Sequence, residues 1–323
     1  VGSEMCIRDS GRLVGIAPLM VTESKTRRNK ITFIGGENGD YQDFLIAADA
    51  IDPVLDLFLA RLVQVDCSWG TLELRNLPSS SPHLEGIGVA ARTKGLRSLL
   101  RQTRCPTLLI RGHEDAVRGI LNKYSIRRPL NRCRRLGEVR WTTFSNEREA
   151  MKYLPRFAAQ HIERWRGTKN PSRLQDPKYL RFYEELIRNL LPRGWLSFSM
   201  VELDGEPIAF HFGFLYQGRL VWYKPSYSVS FARYSPGALL IRFLTEYALN
   251  AGIGELDFTI GNEAFKQRFA NAERINFDLV FFRRRVPYWS ARFHREIRSL
   301  VRRAICPTLE RSEIATLASR AVL

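Results

Sequence analysis

Several things are scarce in this 323-residue chain. It has only five cysteines, Cys6, Cys67, Cys105, Cys133 and Cys306, far apart and without a CxxC pair. Neither a disulfide framework nor a zinc site is indicated, and a reducing cytoplasm is the simplest setting. The longest wholly apolar runs, such as 238–241 and 279–282, fall far short of the ~20 residues a membrane-spanning helix needs. No HExxH, Walker loop, dinucleotide fingerprint or Ser-His-Asp spacing occurs, so nothing in the sequence points to a metal or to covalent catalysis. Acidic residues are outnumbered, 33 against 50 basic, which leaves a net charge of +17. The basic residues are nearly all arginine, 41 against nine lysines. That excess suits a nucleic acid, a membrane surface or an anionic substrate, or reflects compositional bias of the source genome. A 45% hydrophobic and 26% charged composition supports a packed core, and the length suits two domains or one large one.

Residues 1–10 (VGSEMCIRDS) resemble translated sequencing-adapter read-through and are left out of fold reasoning, so the fold is expected to begin at 11. Short apolar or alternating segments predict strands at 13–21, 31–34, 44–47, 71–77, 108–110, 142–144, 195–203, 207–215, 219–225, 254–260 and 275–283. Asp204-Gly205 and Gln217-Gly218 read as hairpin turns. Apolar positions at helical spacing predict helices over 51–65, 146–166, 177–191 and 235–251. Ser145 and Ser235 are the expected N-caps, with Pro236 at the first helical position and Gly252 as the stop. Two α+β halves are expected: 11–118, and 119–285 entered through the strongly basic stretch 119–137, followed by a tail, 286–323.

Two segments invite chemistry. The strand ending at Tyr223-Lys224-Pro225 leads through a loop into a helix opening Ser235-Pro236-Gly237-Ala238. Such an end has unpaired N–H groups and no Cβ at Gly237, which suits a pyrophosphate, and Arg233 adds charge just upstream. The alternative is ordinary capping. The next strand carries Glu255 and Asp257 on one face and turns at Gly261 so that Lys266 projects back towards its end, either to stabilise developing negative charge or simply to pair with Glu263.

Eight segments then occur in one order: GRLVGIAPLM, GENGDYQDFLI, LRNLPSSSPHL, LNKYSIRRPLNRCRRL, QHIERW, GEPIAFHFGF, YKPSYSVSFARYSPGALLIRF and LDFTIGNEAFKQRF. Together they resemble the CelD-type branch of the GNAT acyltransferase superfamily, similar to the Fem-type aminoacyltransferases and found in bacterial exopolysaccharide and cellulose gene clusters. The resemblance implies an α+β fold of tandem GNAT-like halves with mixed sheets flanked by helices, the first half truncated. It implies transfer of an acyl group, acetyl first, from acyl-CoA to an amine or hydroxyl of a sugar, lipid-linked or amine acceptor. The strand 220–224, with Tyr223 and Lys224, would line the pantetheine arm. Arg233, Ser235, Pro236, Gly237 and Ala238 would hold the pyrophosphate.

The chain departs from the family pattern at Asn262 and Ser228, where aspartates are usual, and at Phe265, usually tyrosine. Direct attack on a thioester needs a base, an oxyanion partner and a proton donor for the thiolate. Asp257 and His161 are base candidates, although His161 also fits a core position and Asp257 a structural one. Lys266 is the oxyanion candidate, and Tyr227 or Tyr223 the proton donor. Asp40, Tyr41 and Trp165 are acceptor-side candidates. The span 283–303 holds eight arginines against one glutamate, with Trp289, Phe293, Ile297, Leu300 and Val301 at helical spacing. It would dock on the domain or lie on anionic lipid at the inner membrane face. Two further readings stay open: a Fem-like transferase using aminoacyl-tRNA, favoured by the basic 127–135 stretch, and a non-catalytic component of polysaccharide assembly.

Overall fold

The computed structural model describes residues 5–9, 11–23, 29–64, 69–261, 263–284 and 287–292. Along the chain run β1 (Met5–Asp9), β2 (Arg12–Ala17), β3 (Leu19–Thr22), β4 (Asn29–Phe33), β5 (Leu45–Ile46), α1 (Ile51–Gln64), β6 (Trp69–Pro78), α2 (Leu84–Thr93) and β7 (Arg97–Leu109). Next come α3 (Glu114–Asn122), α4 (Tyr124–Arg134), β8 (Val139–Thr143), α5 (Glu147–Arg164), α6 (Pro177–Leu190), β9 (Leu196–Leu203), β10 (Glu206–Tyr216) and β11 (Arg219–Tyr227). The described elements end with α7 (Pro236–Asn250), β12 (Glu255–Asp257), α8 (Ala264–Gln267) and β13 (Ala272–Phe282). Asn262 and the tail beyond Arg292 lie outside the described residues.

The described chain divides into two compact units, one running to Thr103 and resuming at Ile275, the other Arg104–Arg274. Both are α+β with mixed parallel and antiparallel pairing. In the first, strands run β3-β4-β6-β13, beside a small β1-β2-β5 sheet. Met5–Asp9, left out of the sequence reading, pairs antiparallel with β2. One face of α1 buries Val54, Leu55, Phe58, Leu59 and Leu62 against Trp69, Leu72 and Phe281. Each such side chain contributes roughly 1.5–3 kcal/mol on leaving water.

In the second unit Arg104–Leu109 is followed laterally by β12, β11, β10, β9 and β8. β9 is buried along its whole length because helices cover both faces. Phe198, Met200, Phe210 and Phe212 pack under α5 and α6. Val201, Leu203 and Ala209 pack under α7, as the period-two alternation of a strand requires. The two hairpin turns have positive φ at both central residues, 50° and 81° at Asp204-Gly205 and 48° and 75° at Gln217-Gly218. That is the mirror-image turn matched to strand twist.

The structure departs from the expectations at several places. The stretch 119–137 is not a connector but the end of α3 and the whole of α4, and both helices pack on α7. Together with the pairing of Thr107–Leu109 to β12, this draws 104–118 into the second unit. The pairing of β13 with β6 returns the chain from Ile275 to the first. The helix α2 has no counterpart in the sequence reading, its pattern being diluted by Gly86 and Gly88. The α5 cap is Asn146, whose side chain accepts from the Glu149 N–H at 2.9 Å, rather than Ser145. Beyond Arg284, residues 287–292 are helical, and Tyr288 packs edge-on against Phe282.

Candidate active site

β11 and β12 are the one parallel pair among the described strands of the second unit, and they stay together only briefly. Arg219, Leu220 and Val221 pair with Glu255, Leu256 and Asp257, and there the pairing stops. At the same level β11 bulges. Phe212 pairs with Lys224 but Phe214 with Val221, so three steps on β11 face two on β10. A bulge bends its strand and raises local twist; past it the backbone pairing with β12 is not resumed, and the Thr259 hydroxyl donates to the Trp222 carbonyl at 3.4 Å. Only glycine fits opposite the bulge, since a Cβ at Gly213 would lie 2.1 Å from the Val221 carbonyl oxygen. His211, fully buried, caps the arrangement: its Nε2 lies 3.2 Å from the same oxygen and its ring stacks on Trp222. A carbonyl can only accept, so Nε2 carries the hydrogen. Nδ1 is left as a buried acceptor with no partner. Burial lowers the His211 pKa to about 3, partly opposed by the Val221 bond.

Past the bulge, β11 leads to α7. Ser235 occupies the N-cap position with left-handed φ and ψ of 58° and 52°, and its side chain caps nothing. Its carbonyl instead accepts from Ala238 and Leu239. Pro236 has no N–H, and the Gly237 N–H has no partner among the described residues. The amide is therefore available, as expected of an anion-binding helix start. A Cβ at Gly237 would sit 3.7 Å from the Tyr227 ring, so that ring borders the helix start. Arg233 lies over the neighbouring Tyr234 ring at 4.8 Å.

The other side of β11 is met by α5. The Arg164 guanidinium lies over the Tyr227 ring at 4.1 Å and donates to the Pro225 carbonyl at 3.0 Å. Burial pulls its pKa below the ordinary arginine value, opposed by Tyr227. His161, one turn earlier, pairs Nδ1 with the Ser172 hydroxyl at 2.8 Å and stacks on Trp165. Burial first, and then the charges of Lys224 and Arg164, lower its pKa to about 4. Lys224 lies over Tyr223, whose ring packs on Phe214. The fold thus brings His161, Trp165, Lys224 and Tyr227 together with Arg164, and Tyr223 lies beside Lys224. Arg164 itself was not singled out, since nothing distinguishes it from the other arginines in sequence. A cleft of about 690 Å³ opens beside this group between α5, the start of β10 and Ser228, with Arg156, Glu163 and Glu206 in its wall.

Two other candidates are tied up by neighbours. Asp257 is fully buried: one carboxylate oxygen accepts from the Thr259 N–H at 2.8 Å and the other faces Arg274 at 3.4 Å. Arg274 also pairs with Glu255, so Glu255 and Asp257 share a face. Lys266 is 3% exposed, its Nζ donating to the Ile260 carbonyl at 2.7 Å and pairing with Glu263 at 2.8 Å. It closes the turn after β12 instead of projecting into water.

Asp40 and Tyr41 belong to the first unit, where the Asp40 carbonyl accepts from Asn276 at 2.8 Å. A pair the sequence reading passed over lies beside them in the chain. Asp43 holds His83 Nδ1 at 2.7 Å, leaving the buried Nε2 without a partner among the described residues. Among the described residues no group of three His, Cys, Asp or Glu side chains is placed to hold a metal, and no helix is long and apolar enough to cross a membrane.

The family model described as an acetyltransferase (GNAT) domain matches residues 122–267. Among solved structures, the chain is similar to the C-terminal domain of an assigned lysylphosphatidylglycerol synthetase from Agrobacterium fabrum, at TM-score 0.57 and 13% identity over 86% of this chain and 83% of that one. FemX gives TM-score 0.57 at 10% identity over 86% and 87%. The L-PGS of Bacillus licheniformis gives 0.51 at 12% identity over 87% and 84%. No curated protein sequence matches the chain. Residues 122–267 therefore match the GNAT acetyltransferase domain model, and the α+β fold that holds them is shared with these solved structures.

Proposed function

We propose that the protein transfers an acyl group, acetyl first, from acyl-CoA to an amine or hydroxyl on a sugar or lipid-linked acceptor. The place of this reaction is bacterial exopolysaccharide or envelope synthesis, in the cytoplasm or at the inner membrane face. The parting of β11 from β12 after three residue pairs, beside the unpaired Gly237 amide, carries the reading. The β12-facing edge of β11 past Val221, with no backbone pairing to β12, suits an extended pantetheine arm with Tyr223 and Lys224 along it, and Arg233 and the turn 235–238 suit its diphosphate. The CelD-type sequence resemblance supports the biosynthetic setting, and the basic span 283–303 supports a membrane-surface location.

In the reaction, the acceptor lone pair adds to the thioester carbonyl carbon, the C–S bond breaks, and the acceptor's proton ends on the departing sulfur. Tyr227, held by Arg164 next to the helix start, is our donor to that sulfur. Trp165 and the cleft beside it are the acceptor side in this unit, and Asp40 and Tyr41 the acceptor-side residues of the first. His161, neutral near pH 7 with a pKa of about 4, is a weak base whose ring orients the Trp165 face. The held positions of Asp257 and Lys266 suit shaping the end of β12 and the turn after it. One observation favours the aminoacyl-tRNA alternative: α4 carries Arg127, Arg128, Arg132 and Arg134 and no acidic residue. Thermal unfolding with acetyl-CoA, longer acyl-CoAs and charged tRNA separates the readings. Stabilisation by acyl-CoA is expected. Stabilisation by charged tRNA alone would move the donor to the Fem-like reading, and a response to neither would leave a non-catalytic component.

A further inference from the structure

A second basic feature borders the start of α7, and it comes from α4 and from the residue after α8. Arg128, Arg132 and Arg268 line a cavity of about 240 Å³ together with Tyr234 and Ser235, and no carboxylate is in its wall. Two of these arginines are held by something other than an acid. Arg132 lies over the Tyr234 ring at 5.1 Å, and Arg233 lies over the same ring at 4.8 Å. Arg268 donates to the Ser125 carbonyl at 2.8 Å. Among the described residues, none of Arg128, Arg132, Arg233 and Arg268 has a carboxylate partner. Elsewhere in this unit arginines do find acids, as Arg188, Arg219, Arg242 and Arg274 show. Gathering unpaired guanidinium groups round one cavity costs mutual repulsion, which a polyvalent anion relieves, and planar donors of this kind match phosphate oxygens.

We propose that this cavity is a phosphomonoester site, and that it takes the 3′-phosphate of the CoA ribose. The inference rests on the reading of the α7 start as the diphosphate site. The cavity reaches Ser235, two residues from the free Gly237 amide, and the 3′-phosphate is separated from the diphosphate by one ribose. A single terminal phosphate is also the part of CoA with the highest local charge, which suits a cavity lined by several arginines without carboxylate partners. The consequence is discrimination: the protein should select CoA over 3′-dephospho-CoA, which has the same pantetheine and diphosphate.

The test is calorimetric titration of the full chain with CoA and with 3′-dephospho-CoA at two salt concentrations. The wild type is expected to bind CoA at least tenfold more tightly, with the ratio shrinking at high salt. The double variant Arg132→Gln, Arg268→Gln should bring the ratio close to one while leaving 3′-dephospho-CoA affinity within about twofold, and Arg128→Gln should lower it in part. Unchanged affinity for 3′-dephospho-CoA doubles as the folding control. Equal wild-type affinities, or a ratio that survives the double variant, overturn the 3′-phosphate site while leaving the diphosphate site standing. Binding of neither nucleotide overturns both. If the variants weaken charged tRNA and leave the CoA ratio intact, the arginines serve an RNA backbone and the proposal falls.

Discussion

Acidification should destabilise this protein through His211, by an amount that follows from the burial of its ring. The ring is sealed between Trp222 and the β10–β11 bulge, with Nε2–H committed to the Val221 carbonyl at 3.2 Å. A second proton would have to sit on Nδ1, which has no acceptor, and burial accordingly lowers the pKa to about 3. In the unfolded chain the same ring titrates near its ordinary value of about 6.5. Between those values the unfolded state binds the extra proton and the native state does not, so stability is full above pH ~6.5 and is lost as pH falls. At ~1.36 kcal/mol per pH unit, His211 alone removes about 2 kcal/mol between pH 7 and pH 5. His161, lowered to about 4, removes a similar amount with the same sign. The perturbation is His211→Gln, which cannot titrate. Urea unfolding followed by tryptophan fluorescence at pH 7 and pH 5 gives the loss for each protein. Carboxylate contributions are common to both and cancel in the difference. The variant should be less stable at pH 7 yet lose about 2 kcal/mol less on acidification. A variant that loses as much as the wild type would mean that native His211 takes up the proton freely, and the sealed bulge would be refuted.

Other outcomes follow from the same contacts. Gly213→Ala forces a Cβ to within 2.1 Å of the Val221 oxygen, so the bulge must shift; urea unfolding should show a loss of about 3 kcal/mol, and a loss under ~0.5 would contradict the tight crossing. Asn146→Ala removes the α5 cap and should cost about 1 kcal/mol by thermal unfolding, whereas Ser145→Ala should cost little. Arg164→Met takes a cation from beside His161, so its pKa, followed by NMR, should rise above about 4 while burial and Lys224 still hold it below the ordinary value; no change would place Arg164 outside its field.

Much of this molecule was legible one segment at a time. Helical spacing marked α1, α5, α6 and α7 within a residue or two, and the Asp-Gly and Gln-Gly pairs marked both hairpin turns, because periodicity and positive φ are decided by near neighbours. The α7 start was also readable, since a proline without an N–H and a glycine without a Cβ leave the same opening wherever they stand. The assignment of Ser235 as a side-chain cap was not, because its left-handed backbone turns the hydroxyl's role over to its carbonyl.

The amino-acid order by itself determined the elements, their turns and the chemistry of the helix start. Tertiary structure alone decided what those elements hold. Arg268 meets Arg128 and Arg132 at one cavity across some 140 residues of sequence, Arg164 becomes the partner of Tyr227, and Asp257 and Lys266 acquire partners that occupy them. The reason is physical: local propensity acts over a few residues, whereas convergence of like charges and the sealing of a carboxylate depend on how helices pack across a sheet, which no short window of sequence contains.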